Sequence, residues 1–133
     1  TGMFADLFGD AGAEYRQSLD HYYEQGPPAD WEQRYISAYA SAHPLEDWAE
    51  TWSHYLLMHD ALETAYAHGL IDTPLLASAF FERISQWQAV SVGLNEMNQS
   101  VGREDAYPFV ISAQVHNKLA YVDAMISRLR TLQ

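Results

Sequence analysis

The stretch of sequence that decides the fold covers residues 44–69 and reads PLEDWAETWSHYLLMHDALETAYAHG. Its apolar side chains recur at intervals of three and four residues, as they do on one face of an α-helix. Pro44 suits the first turn of a helix, where its missing N–H has no partner to lose, and Gly69 is typical of the residue after a helix end. The pattern predicts one long helix from Pro44 to about His68.

The rest of the chain divides into further segments of helical length, separated by its 7 glycines and 5 prolines. We expect helices over about 11–25, 30–42, 73–102 and 112–133, and an ordered loop over 103–111. Each apolar stripe must be covered by another helix, so the sequence predicts an all-α fold of about five helices in one domain, 1–133. The expected core contains Trp31, Tyr35, Trp48, Trp52, Leu56, Phe80, Ile84, Trp87, Leu119 and Val122.

The charge of the chain is strongly acidic. Seven Lys and Arg stand against 18 Asp and Glu among 133 residues, which gives a net charge of −11. Such a surface repels phosphate backbones and anionic lipids, so we expect neither nucleic-acid binding nor membrane binding. The absence of cysteine excludes a disulfide framework and a thiolate zinc site. Nothing in the sequence as given marks it for export, and we expect a cytoplasmic protein.

Three side chains of the long helix have the chemistry of metal ligands. Glu46, Glu50 and His54 follow one another at intervals of four, which aligns them along one side of the helix. Carboxylate and imidazole groups at this spacing can meet a metal ion. A structural interpretation is also open, because acidic residues in a first turn interact favourably with the positive end of the helix dipole.

The same segment resembles the helix of gluzincin metallopeptidases that supplies the third, glutamate ligand to zinc. Its pattern, E-x-x-A-E, is matched by residues 46–50, which read EDWAE. Over residues 7–128 the chain resembles, more specifically, the C-terminal part of a bacterial family described as putative zinc-binding metallopeptidases. The segments that carry this resemblance, in order, are LFGD at 7–10, GPPADW at 26–31, SAYAS at 37–41, HP at 43–44, EDWAETW at 46–52 and DAYPFV at 105–110.

The resemblance implies a zinc site that this chain completes only in part. Family members are expected to carry an upstream H-E-x-x-H helix, whose histidines bind zinc and whose glutamate activates water. None of the six histidines here begins such a motif. We therefore expect a C-terminal helical subdomain that works with an upstream helix of the same longer protein on a peptide or protein substrate, and that is inactive alone. The resemblance gives Glu46 the role of third zinc ligand, and Glu50 and His54 supporting positions around the metal.

Tyr39 is a candidate catalytic residue on the same resemblance. In several gluzincins, a tyrosine just upstream of the glutamate ligand points at the substrate carbonyl and stabilises the oxyanion. Tyr39 lies seven residues before Glu46, and the break at His43-Pro44 lets the chain fold back over the start of the long helix. The alternative is a packing role, because Tyr39 also follows Tyr35 by four residues on one apolar stripe.

Two other functions remain open from the sequence. The chain could be a non-catalytic, acidic helical module that binds a partner protein. It could also be a self-contained carboxylate metal bundle, although it lacks the repeated E-x-x-H motifs of such sites. The polar residues Asn95, Asn98 and Gln99, late in the fourth predicted helix, either line a groove or face solvent.

Overall fold

The structure, a computed structural model, describes residues 2–132 apart from the side chain of Leu76. It contains six α-helices and no strand among these residues, which confirms the all-α prediction. Two short 3₁₀ helices, Tyr39–Ala42 and Leu75–Ala77, interrupt the connections. The α-helices are α1 (Met3–Phe8), α2 (Tyr15–Gln25), α3 (Trp31–Arg34), α4 (Pro44–Ala67), α5 (Phe80–Ser100) and α6 (Ala113–Thr131).

The long helix α4 ends within two residues of the predicted end, and α6 begins directly after the predicted cap. The short helix α1 was not predicted, so the number of α-helices is six rather than about five. Helix α2 begins later than predicted, at Tyr15, where the Glu14 carboxylate accepts a hydrogen bond from the backbone N–H of Gln17. A glutamate in this role is less common than Ser, Thr, Asp or Asn.

The prediction of a continuous helix over 30–42 was wrong. Helix α3 ends after one turn, and the backbone is extended at Tyr35, with φ −131° and ψ 149°. This change of direction buries Ile36 and Ser37, and the Ser37 hydroxyl accepts a hydrogen bond from the backbone N–H of Ala40 at 3.2 Å. Burial of this segment therefore overrides its helical periodicity, and helix resumes only as the 3₁₀ turn that carries Tyr39.

The chain forms two compact units. The first consists of Thr1–Tyr55 and Val110–Gln133, and the second of Leu56–Phe109. The expectation of a single domain stays a prediction. In the first unit the most deeply buried apolar side chains include Ile36, Val115, Leu119 and Val122. Trp48 is the centre of an aromatic group in this unit, with ring centroids 5.3 to 5.9 Å from those of Phe4, Phe8, Trp52 and Tyr121.

The predicted core is partly confirmed. Ile84, Trp87, Leu119 and Val122 are buried, whereas Leu56 is 49% exposed and was wrongly placed there. The other members of the expected core are of intermediate burial.

In the second unit, the polar residues at the end of α5 hold the following loop. The Asn95 side-chain amide donates to the Tyr107 carbonyl at 2.8 Å and accepts from the Tyr107 N–H at 2.9 Å. Asn98 donates to the Glu104 carbonyl, and Gln99 to the Asp105 carboxylate. These bonds place the Tyr107 ring against Trp87, with centroids 4.9 Å apart. The predicted loop is therefore ordered, and the three side chains bind its backbone and one of its carboxylates.

Replacing Ser112 with alanine should lower the free energy of unfolding by about 1–2 kcal/mol. Its hydroxyl accepts a hydrogen bond from the Val115 N–H at 3.2 Å and donates to the Gln33 carbonyl at 2.9 Å. The substitution therefore removes the cap of α6 and one link to the end of α3. Urea unfolding measures the loss, with Ser53→Ala on the exposed side of α4 as the matched control. A Ser112→Ala protein as stable as the Ser53→Ala protein would contradict this role.

Candidate metal centre

The start of α4 is fixed by His43, which is 3% exposed. Its Nδ1 accepts a hydrogen bond from the backbone N–H of Leu45 at 3.0 Å, and its Nε2 lies 2.8 Å from the Ala13 carbonyl oxygen. A backbone N–H can only donate and a carbonyl can only accept, so these partners define a neutral ring with its proton on Nε2. His43 thus joins the segment before α2 to the first turn of α4, a role that the sequence analysis missed.

Glu46 lies in that first turn and is partly buried. Its carboxylate accepts a hydrogen bond from the Tyr15 hydroxyl, which comes from the start of α2. The Tyr15 ring also packs edge-on against His43, with centroids 4.9 Å apart. The hydrogen bond to Glu46 raises the pKa of Tyr15, as expected for a phenol that donates to a carboxylate. Tyr15 therefore orients Glu46, and the sequence analysis had not singled it out.

Tyr39 belongs to the same group of side chains. Partial burial, followed by the negative charge of Glu46, raises the pKa of its hydroxyl still further above neutral. The Tyr22 ring packs edge-on against Tyr39, with centroids 5.8 Å apart. The structure thus brings two of the predicted site residues, Tyr39 and Glu46, to one place and adds Tyr15. We refer to these three side chains as the tyrosine–glutamate cluster.

Glu50 and His54 lie further along α4 and have their own environment. Glu50 accepts a hydrogen bond from the Ser37 hydroxyl at 2.8 Å. His54 is 8% exposed, and burial lowers the pKa of its imidazole while the charge of Glu50 opposes this effect. His54 is therefore expected to be neutral near pH 7.

Asp47, the residue after Glu46, is buried and pairs with Lys118, the only lysine of the chain. Lys118 Nζ lies 2.6 Å from Asp47 Oδ2 and 2.7 Å from the Arg34 carbonyl oxygen. The Lys118 and Asp47 side chains are 4% and 0% exposed, respectively. Burial raises the pKa of the Asp47 carboxyl to about 6, against the opposite effect of the Lys118 ammonium. The pair ties α4 to α6 one residue after Glu46. Asp47 therefore has a specific partner in addition to its favourable position in the first turn of α4.

The residues present fit one ligand of a zinc site rather than a complete one. Glu46 offers a carboxylate oriented by a hydroxyl, and outer hydrogen bonds of this kind accompany metal-ligating carboxylates. Zinc sites in enzymes normally use three protein ligands. No group of three or more possible His, Cys, Asp or Glu ligands occurs in the part of the chain that the structure describes.

None of the described helices is long and apolar enough to cross a membrane.

Comparison with known proteins gives the class of this helical chain. The model of the family described as "Putative zinc-binding metallo-peptidase" matches residues 1–125, and the chain therefore belongs to that family. Uncharacterized proteins of Mycobacterium bovis and Mycobacterium tuberculosis are 43% identical to it over 133 residues. The match covers 95% of this chain but 39% of each relative, so the chain spans about two-fifths of their length. No solved structure matches it.

Proposed function

We propose that this chain is the helical subdomain of a zinc-dependent peptidase and that Glu46 supplies the third protein ligand. The observation that carries the proposal is the tyrosine–glutamate cluster: a partly buried carboxylate at the start of a long helix, oriented by one phenol and adjoined by a second. Family membership supports zinc as the metal and peptide hydrolysis as the reaction class. The remaining ligands and the general base would come from an H-E-x-x-H helix of the same protein.

Zinc, when bound in such a site, polarises the scissile carbonyl and makes hydroxide available near neutral pH. The residues of this chain have separate tasks. Glu46 contributes a negative oxygen ligand, and Tyr15 keeps that carboxylate in one orientation through its hydroxyl. Tyr39 keeps its proton near neutral pH and can donate it in a hydrogen bond to the substrate carbonyl oxygen as negative charge develops there.

Glu50 and His54 are proposed to support the site without binding the metal. Ser37 fixes the Glu50 carboxylate, which would leave it oriented to accept the free ring N–H of a ligand histidine. The buried His54 lies one helical turn beyond Glu50, close enough for the charge of Glu50 to raise its pKa against the larger effect of burial. The substrate class that follows is a peptide or protein, since amide hydrolysis is the reaction for which this set of groups is suited.

The direct test replaces Glu46 with glutamine in a protein that contains both this chain and an H-E-x-x-H helix. Zinc affinity should fall by at least about tenfold, because removing a group that supports a metal site typically weakens metal binding by about that factor or more. An amide oxygen carries no charge to replace that of the carboxylate. Zinc content after dialysis measures the effect, and circular dichroism checks that the helices persist.

Glu63→Gln is the matched control, because Glu63 lies on the same helix but is exposed and pairs with His59 at 3.0 Å. It should retain all the zinc. Unchanged zinc in Glu46→Gln would move the ligand role elsewhere, first to Glu50. A wild-type protein that binds no zinc would favour the non-catalytic interaction module.

A further inference from the structure

A cavity of about 670 Å³ opens in the first unit beside the tyrosine–glutamate cluster. Helix α2 forms one side, and the Gly26-Pro27-Pro28 loop and the end of the Tyr39–Ala42 turn form the rest. Its volume lies within the range of about 300–1,000 Å³ that is typical of small-ligand sites. The side chains that give it its chemistry are Glu14, Gln17, Ser18, His21, Gln25 and Ser41.

Three connections place the cavity next to the candidate metal ligand. Tyr22 lines the cavity and packs its ring against Tyr39. Ser41, which also lines it, belongs to the same 3₁₀ turn as Tyr39. Glu14 lines it and immediately precedes Tyr15, the residue that orients Glu46. A group bound in the cavity would therefore contact residues that pack against or directly adjoin members of the cluster.

The lining offers several hydrogen-bond acceptors, one of them a carboxylate. The Ser18 hydroxyl donates to the Glu14 carbonyl at 2.8 Å, and the Ser41 hydroxyl donates to the Ala38 carbonyl at 2.6 Å. Their protons are thus in use, and their oxygens can still accept hydrogen bonds. Glu14 adds a carboxylate, and the side-chain amides of Gln17 and Gln25 each add an acceptor oxygen together with N–H donors.

The charge of the lining has the same sign as that of the whole chain. Among the described residues that line the cavity, Glu14 and His21 are the only titratable ones apart from Tyr22, and none is lysine or arginine. The net charge of −11 favours the approach of cations to this surface. An arginine side chain brings five N–H donors on a planar, permanently charged group, which suits several acceptors around one carboxylate.

We propose that this cavity binds an arginine side chain of the peptide substrate and so determines specificity next to the cleaved bond. Only the statement that the ligand is a substrate rests on the proposed function. Selective binding of a cationic side chain beside Tyr39 depends neither on zinc nor on the upstream helix. It can therefore be measured on the 133-residue chain itself.

The experiment titrates the chain with acetylated and amidated pentapeptides that have alanine at every position except the central one. Measurement by NMR at pH 8 keeps imidazole groups neutral. The arginine peptide should bind about tenfold more tightly than the glutamine peptide, as expected for one charge-assisted hydrogen bond, and the glutamate peptide should bind most weakly. The largest shift changes should occur at Gly26 and Ser41, on the two sides of the cavity.

Substitutions at Gln25 test the position of the ligand. This side chain is exposed at the last residue of α2, so changing its charge should not disturb packing. Gln25→Glu should strengthen binding of the arginine peptide several-fold, and Gln25→Lys should weaken it by a similar factor. Glu24→Gln is the control, because it removes a charge from the same helix outside the cavity and should change affinity little.

Equal affinities for the three peptides, no measurable binding, or shift changes confined to other residues would overturn the cavity assignment. These results would not affect the Glu46→Gln test of zinc binding. Conversely, selective arginine binding at the cavity together with unchanged zinc in Glu46→Gln would support the binding site while refuting the proposed ligand role. The two failures are therefore distinguishable.

Discussion

Replacing Lys118 with methionine should lower the free energy of unfolding by about 3–5 kcal/mol, because it leaves the carboxylate of Asp47 buried without its partner. Lys118 Nζ contacts Asp47 Oδ2 at 2.6 Å and the Arg34 carbonyl at 2.7 Å, and it lies 4.5 Å from the centroid of the Tyr35 ring. Methionine preserves much of the length and packing of the side chain, so the loss of stability measures the contribution of the charge and its hydrogen bonds. Urea unfolding at neutral pH measures it.

Two further variants separate the buried pair from surface charge. Asp30→Asn breaks the exposed ion pair with Arg34, whose atoms are 3.5 Å apart, and should cost no more than about 1 kcal/mol. The double variant Asp47→Leu with Lys118→Met removes both buried charges and should recover most of the stability lost in the single variant. A Lys118→Met protein as stable as Asp30→Asn would show that the pair does not hold α4 to α6.

The sequence predicted best the helices whose signals are local. For the long helix α4, Pro44 marks the start, Gly69 marks the end, and the apolar residues between them repeat with the helical period. Helix α6 begins after a serine cap, and its apolar residues form a regular stripe. The segment after α3 shows the limit of such signals. Its residues repeat with helical period, but the burial of Ile36 and Ser37 in the first unit requires extended backbone at Tyr35. A window of sequence carries no information about that packing.

The candidate site was likewise predicted only in part from the sequence. The E-x-x-A-E pattern singled out Glu46, whose role as a zinc ligand stays a prediction. The structure places Tyr39 close enough for the charge of Glu46 to raise its pKa, although Tyr39 lies on a 3₁₀ turn rather than near the end of the predicted helix. The partners that orient Glu46 and anchor its helix were not foreseen, because they are distant in the chain. Tyr15 is 31 residues from Glu46, and Lys118 is 71 residues from Asp47.

One signal for the buried pair was present in the sequence. Lys118 is the single lysine of the chain, and it lies on the apolar stripe of α6 with Val115, Leu119 and Val122. A lysine on such a stripe is rarely buried without an acidic partner. The pattern therefore indicated that an unidentified carboxylate would meet α6, although only the folded chain shows that it is Asp47.

Tyr39→Phe should reduce kcat by roughly a hundredfold with zinc still bound, in a protein that contains this chain and an H-E-x-x-H helix. Phenylalanine keeps the ring that packs 5.8 Å from Tyr22 and removes only the hydroxyl. Burial and the charge of Glu46 raise the pKa of that hydroxyl still further above neutral, so it remains a hydrogen-bond donor. If it donates to the substrate carbonyl oxygen only as charge develops there, its loss affects kcat rather than metal binding. Cleavage of a fluorogenic peptide, with zinc content measured on the same samples, gives both quantities.

Two further variants, Tyr15→Phe and Tyr66→Phe, test whether the loss of kcat is specific to the Tyr39 hydroxyl. Tyr15 donates to Glu46, so its hydroxyl orients the proposed ligand, and its removal should weaken zinc binding by about tenfold or more. Tyr66 is 44% exposed in the second unit and should lose neither zinc nor activity. Full activity in Tyr39→Phe would leave Tyr39 a packing role, through the contact of its ring with Tyr22. Loss of zinc in Tyr39→Phe would instead place its hydroxyl among the groups that orient Glu46, because a donor acting only on the substrate has no effect on the metal.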